Sequence, residues 1–284
     1  RGIHGIVMET EYGFSAIRID VVFPVLHGKN GEDGTIQGLF QLSGIPFVGC
    51  DTLASAVCMD KAVTNILLEA AGIDQANFMW FYASDYENVK EQVKEDIMAD
   101  LGGYPVFVKP ANAGSSVGVS KAKNAAELDK AVAIAAKEDK KIVIEECIVG
   151  KEVECAVMGN AIPKVSVVGE IAPSAEFYDY DDKYKRGTSK LCIPAEISPK
   201  TREEIRMLAV KAYKAVGGEG FSRVDFFIDK KTGRVLLNEI NTIPGFTKFS
   251  MFPLLWEAAG VKYQDTIERI IELVYERYNI KNSR

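Results

Sequence analysis

"RVLLNEINTIPGFTKFSMFP", residues 234–253, is the stretch from which the rest of the chain can be read. An apolar run with strand character ends in Glu239 and Asn241, and a Pro-Gly turn with several hydroxyls follows at once. Residues two apart on a strand project from the same face, so this carboxylate and amide point the same way. Asp225, in "SRVDFFID" (222–229), lies on the neighbouring predicted strand and is placed to join them. Two carboxylates and an amide oxygen make a hard-oxygen set suited to Mg²⁺, which keeps waters and takes phosphate oxygens. A plainer reading stands beside it, in which Asp225 and Glu239 pair with Arg223 or Lys248 at a strand end.

Outward from that stretch the chain alternates strands and helices. "IDVVFPVLHGKNGEDGTIQGLFQLSGIPFVGC" (19–50) reads as a strand at Val21–Phe23, a loop punctuated by Gly28, Gly31 and Gly34, a helix over Thr35–Leu42 and a short strand. That order implies a mainly parallel sheet. The opening "RGIHGIVMETEYGFSAIRID" (1–20) holds no evident starting strand, and the chain is expected to begin inside a domain. Residues 51–73 form a helix pair, capped by Asp51 or Thr52 and stopped by Gly72. An amphipathic helix is expected within 82–103, then strand, loop and strand over 104–124, a helix over 125–141, and two strands around Gly150. Another strand covers 163–172, and the aromatic, charged segment 172–197 is a long loop of the kind that carries function. A helix at 199–216, strands at 221–229 and 234–240, and a closing helix at 263–278 complete the pattern.

The composition sets limits on what such a chain does. At 284 residues, 47% apolar and 26% charged, it is an ordinary globular protein of two or three domains. The formal net charge of −6 argues against a general nucleic-acid binder, which neutralises phosphates with a basic face. No apolar run reaches the roughly 18–20 residues of a membrane span. Five scattered cysteines favour reduced, mostly buried thiols and a cytoplasmic setting. With only His4 and His27, a histidine-rich zinc site or a His-based triad is not expected.

Further constellations carry chemistry. In "PANAGSSVGVSK" (110–121), Gly114, Ser115, Ser116 and Gly118 let backbone N–H groups approach an anion, and Lys109 at the end of the preceding strand supplies a point charge. Taken alone, such a loop is as readily a hairpin turn. Glu145, Glu146 and Glu152 around Gly150 could accept bonds from an adenine amino group and ribose hydroxyls, or simply line a solvated turn. Lys183 and Tyr184, in "FYDYDDKY" (177–184), either close over a reacting centre or anchor their loop. His27 sits where ligands bind in α/β sheets, with a packing role as the alternative.

Taken in order, "HGKNGEDG", "CMDK", "FVKPANAGSSVGVSK", "IEECIVGKEVE", "FYDYDDKY", "SRVDFFID" and "NEINTIPGFTKFS" resemble the D-alanine–D-alanine ligases of the ATP-grasp superfamily, over about residues 19–260. The resemblance implies an α/β (α+β) chain with an N-terminal parallel α/β domain (1–59), followed by central (60–147) and C-terminal (148–284) α+β domains that clasp ATP. Lys61 and Lys109 would contact phosphates, Ser115 and Ser116 the phosphate loop's ligand, Glu145 and the Ile148 region the adenine, and Glu152 the ribose. Asp225, Glu239 and Asn241 would hold two Mg²⁺ (or Mn²⁺) ions. Arg223 and the Gly245 N–H would stabilise an oxyanion, and Lys183 would touch the transferring phosphoryl group. Ser115, Tyr184 and Ser250 would form a hydrogen-bonded triad that places the second substrate, with His27, Ser250 and Met251 at the substrate. The partners implied are small molecules, D-alanine and ATP, with no nucleic acid or membrane and a homodimeric assembly.

This sequence departs from the family pattern in two places. The strand, glycine-rich loop and Glu that orient the first substrate's ammonium are not found here. Glu146 also stands where some relatives carry Lys. D-Alanine is favoured as second substrate and D-serine comes next, because several resistance-type enzymes carry Arg where Met251 sits.

Overall fold

The structure, a computed structural model, describes residues 5–172 and 190–279. It opens with a hairpin, β1 (Gly5–Thr10) and β2 (Gly13–Arg18), where no strand is expected from the sequence. Nearly all of its residues are exposed, so neither face is buried to impose a period-2 pattern, and Ile6, Val7 and Met8 run consecutively. Val22 then bridges Phe47 in the expected parallel direction, but the ladder goes no further. The named strands among the described residues all pair antiparallel. Three helices follow: α1 (Thr35–Leu42), α2 (Thr52–Met59) and α3 (Lys61–Ala70). Asp51 caps α2 by accepting from Ala54 N, and Asp60 caps α3 by accepting from Val63 N.

A four-stranded sheet has the order β3–β6–β4–β5, with β3 at Phe78–Tyr82, β4 at Val106–Pro110, β5 at Ser120–Ala122 and β6 at Lys141–Glu146. The aromatic run of β3 lacks alternation and escapes the sequence reading. Helices α4 (Tyr86–Ala99) and α5 (Ala125–Ala135) cover one face, bringing Val93, Ile97, Leu128 and Val132 onto Val106, Val108, Ile142 and Ile144. Each fully buried Ile or Leu contributes roughly 1.5–3 kcal/mol.

The second sheet has five strands in the order β11–β10–β7–β8–β9. Their spans are β7 (Gly150–Met158), β8 (Lys164–Ala172), β9 (Lys190–Cys192), β10 (Phe221–Asp229) and β11 (Val235–Asn241). Helix α6 (Pro199–Ala215) seals one face, with Ile205, Ala209 and Tyr213 against Val153, Cys155, Val157, Val224 and Phe226.

The opposite face is divided. At one end α7 (Met251–Ala258) and α8 (Tyr263–Arg277) bury Ala156, Met158, Ile171 and Phe221. At the other end the same alternation presents Glu152, Glu154, Arg223 and Asp225 on this face. Helix α7 lies close on β8 because residue 169 is glycine: a Cβ there would stand 2.7 Å from Met251 Cε and 2.8 Å from Leu255 Cδ2.

One irregularity decides where the key carboxylate points. Val235 and Leu237 face α6, and strict alternation would send Glu239 after them into the core. The β10–β11 register shifts between Asp225 and Phe226, with Phe226 opposite Leu237 and Asp225 opposite Glu239, so Asn238 is an extra residue. Beyond this bulge Ile240 takes the core position, and Glu239 and Asn241 turn to the divided face.

Candidate active site

The cleft lies between the two sheets. From the four-stranded sheet come Phe107 and Lys109 on β4 and Glu145 and Glu146 on β6; from the five-stranded sheet come Gly150, Glu152, Phe227, Asn238 and Glu239. Lys61, Ala113, Ser115, Ser116 and Ile148 complete the walls. A smaller hollow adjoins it, sharing Lys61, Ala113 and Glu239 and adding Glu32, Gly114 and Asn241. The structure thus brings together Lys61, Lys109, Ser115, Ser116, Glu145, Ile148, Glu152, Glu239 and Asn241.

The 113–118 loop is drawn tight. Ser115 and Ser116 both adopt left-handed backbone, with φ of 53° and 60°. That conformation costs an L-residue about 1–2 kcal/mol, and such local strain gathers at ligand-binding loops. Lys61 Nζ donates to Ala113 O at 2.7 Å, tying the loop to the start of α3. Burial pushes the Lys61 ammonium below its ordinary pKa, Glu239 opposes that shift and Lys109 reinforces it. A site in which two cations crowd one another in low dielectric favours an incoming anion. Lys109 itself pairs with Glu145 at 2.5 Å, both side chains being largely buried. Glu146 accepts from Asn77 N at 2.8 Å and so fastens the start of β3.

On the five-stranded sheet the register sets Glu154, Asp225 and Glu239 in one row across three strands, with Arg223 opposite Asn241 in the next row. Arg223 donates through Nε to Asp225 Oδ1 (2.8 Å) and through Nη2 to Oδ2 (2.6 Å), and its Nε lies 2.8 Å from Glu154 Oε2. Burial works against the guanidinium's charge, but the Asp225 and Glu154 carboxylates outweigh it and hold its pKa above the ordinary arginine value. The pairing of Asp225 with Arg223 expected on the plainer reading is therefore present, inside the same cluster as the hard-oxygen set. Asn241 Nδ2 donates to Asp225 Oδ2 (3.0 Å) and Glu239 Oε1 (3.3 Å). Turning that amide over exchanges its nitrogen for its oxygen, and the three groups then offer only oxygens, which fits a hard divalent cation.

Other expected site residues lie apart from these cavity walls. Gly245 touches Ser250: a Cβ on residue 245 would sit 2.8 Å from Ser250 Oγ, which accepts from Thr247 N at 3.0 Å. His27 is exposed and lines neither hollow. Met251 is 7% exposed and packs in the α7–α8 core rather than on a cavity wall. Lys183 and Tyr184 lie outside the described residues.

Three site residues escape the sequence reading. Glu32, inside "HGKNGEDG", accepts from Gly28 N at 2.5 Å, and burial pushes its carboxyl up to about 7. Glu154 follows Glu152 by two on β7, a spacing that could have flagged it. Asn238 follows Leu237, so plain alternation already puts it on the cleft face, where it lines the wall.

Two antiparallel sheets closing on a lysine-lined cleft, with an acidic row on its floor, form the architecture of the ATP-grasp fold. The chain belongs to the D-ala D-ala ligase family: the family's C-terminal model matches residues 67–272 and its N-terminal model residues 4–50. It is 56% identical over 266 residues to a D-alanine–D-alanine ligase of Acetivibrio thermocellus, covering 92% of this chain and 69% of that one. It is also 52% identical over 260 residues to that of Bacillus velezensis, covering 92% and 73%. Among solved structures it is similar to the VanG D-Ala:D-Ser ligase of Enterococcus faecalis, with TM-score 0.84 and 42% identity, covering 95% of this chain and 79% of that one. The D-alanine–D-alanine ligase of Coxiella burnetii gives 0.80 and 35%, with coverage of 96% and 75%. No helix among the described residues is long and apolar enough to cross a membrane.

Proposed function

We propose that this chain joins two D-alanines into D-alanyl-D-alanine with ATP, through a D-alanyl phosphate, to supply the dipeptide of peptidoglycan precursors. The observation that carries the reading is the meeting, along one cleft and the hollow beside it, of two lysines, a tight Gly-Ser loop, Glu239 and Asn241, with Asp225 buried behind them and hydrogen-bonded to Asn241. Phosphoryl transfer asks a protein chiefly for positioning and charge neutralisation. Lys61 and Lys109 take the phosphates, with Ser115 and Ser116 presenting backbone N–H groups. Glu145 and Ile148 meet the adenine and Glu152 the ribose. Asp225, Glu239 and Asn241 hold two Mg²⁺ or Mn²⁺ ions, which when bound neutralise charge on the triphosphate.

Arg223 and the Gly245 N–H face the oxyanion that forms as the second amine attacks the acyl phosphate. Ser250, with Ser115 and Tyr184, orients that second substrate beside His27 and Met251, and Lys183 steadies the phosphoryl group. The three-part division at 59/60 and 147/148, a homodimeric assembly and a cytoplasmic location belong to the same proposal.

The test is phosphate release from ATP that requires D-alanine and ignores L-alanine, with products identified when D-alanine, D-serine and D-lactate are offered together. Indifference to stereochemistry would end this reading. Likeness to the VanG D-Ala:D-Ser ligase favours D-serine as the second reading, and a predominant D-Ala–D-Ser product would establish it.

A further inference from the structure

Arg223 stands between two carboxylates that have unequal duties. Under the proposed function Asp225 must give its oxygens to a divalent cation, yet here both of them accept from Arg223. An arginine held only by Asp225 would lose its anchor when the metal arrives, and the cation would repel it. Glu154 answers this difficulty. It is 2% exposed, lies directly across from Asp225 on the side away from β11, and brings Oε2 to 2.8 Å from Nε, the same distance as Asp225 Oδ1. Its carboxylate can therefore receive the Nε hydrogen with little movement of the guanidinium.

We propose that Glu154 is a positioning residue, which holds Arg223 at the cleft while Asp225 turns to the metal and so lets one arginine and one metal share a strand end. This inference rests on the assignment of Asp225 and Glu239 as metal ligands. Without Glu154, Arg223 has Asp225 as its remaining partner in this pair, and arginine and metal compete for one carboxylate. Glutamine at 154 keeps the shape and removes the charge.

The experiment is a double-mutant cycle on Mn²⁺ binding in the presence of ADP, read from the free-Mn²⁺ electron paramagnetic resonance signal, with the full chain and its E154Q, R223Q and E154Q/R223Q variants. E154Q is expected to weaken Mn²⁺ about tenfold when Arg223 is present and threefold or less when it is not, the coupling expected of residues in direct contact. Equal weakening in both backgrounds would mean that Glu154 acts on the cation through its own charge, and would overturn the proposal. A second readout needs only E154Q. At saturating Mn²⁺ its kcat stays down about tenfold or more, because a misplaced arginine is not repaired by metal, while KM for ATP changes little; full recovery of kcat would also overturn the proposal. Failure of the unmodified chain to bind Mn²⁺ with ADP would sink the metal assignment itself, and this inference with it.

Discussion

Glu145 is 8% exposed and its close ionic partner is the Lys109 ammonium, 2.5 Å away. Taking one member from such a pair leaves a buried charge uncompensated, at about 3–5 kcal/mol, whereas replacing both by apolar groups is often near neutral. Urea unfolding should therefore show K109M destabilised by about 3 kcal/mol and K109M/E145L by clearly less. Additive losses would show that the two residues act separately. Glu32 makes a pH-dependent counterpart. Its carboxyl, raised by burial from 4.5 to about 7, binds its proton more tightly in the folded chain than in the unfolded one. The resulting stabilisation is full below about pH 4.5 and is lost as pH rises through about 7. Without nucleotide or metal, the melting temperature of the unmodified chain should fall relative to E32Q between those values, and a constant difference would contradict the assignment.

The pairing of Glu239 with Asn241 follows from counting by twos, and the strands that bear them, the helix pair after Asp51 and the closing helix are all readable from apolar pattern and caps. Which face the pair occupies is not. Val235 and Leu237 belong to the core, so only an inserted residue on β11 brings Glu239 to the cleft, and nothing in "LLNEIN" announces it. The hairpin at 5–18 and the aromatic β3 were unreadable for a related reason, since neither buries one face against a polar other. Deleting Asn238 removes the extra residue and leaves Glu239 directly after Leu237, on the cleft face, with Ile240 still in the core. The expected result is Mn²⁺ affinity kept within about threefold and a melting temperature changed by only a few degrees. Loss of Mn²⁺ binding in the deletion would show that the bend of the bulge, and not the face alone, aims the carboxylate.

Arg277 is one of the polar links that join the parts of the molecule. From the last helix it donates to Gly49 O at 2.7 Å and to Phe47 O, and it lies over the Phe47 ring, 4.9 Å from the centroid. It thereby fastens the segment that carries the 27–34 loop to the catalytic sheet's own covering helices. R277M keeps much of the apolar stem but leaves two carbonyls without their donor, at about 1–3 kcal/mol each. Hydrogen exchange should quicken over residues 45–50 well before it does in the four-stranded sheet; uniform protection would remove this role.

Gly169 and Met251, met above as a packing contact, also bear on how substrate choice can change by mutation. Arginine at 251, the residue the sequence comparison above sets against Met251, would here enter an apolar layer in which Met251 Cε already stands 2.7 Å from where a Cβ on residue 169 would lie. M251R alone should lower the melting temperature by several degrees before it alters any product ratio. The mutational path between acceptors is thus epistatic: the helix must first be eased from its strand by a permissive change, and only then can a new side chain at 251 be selected for what it recognises.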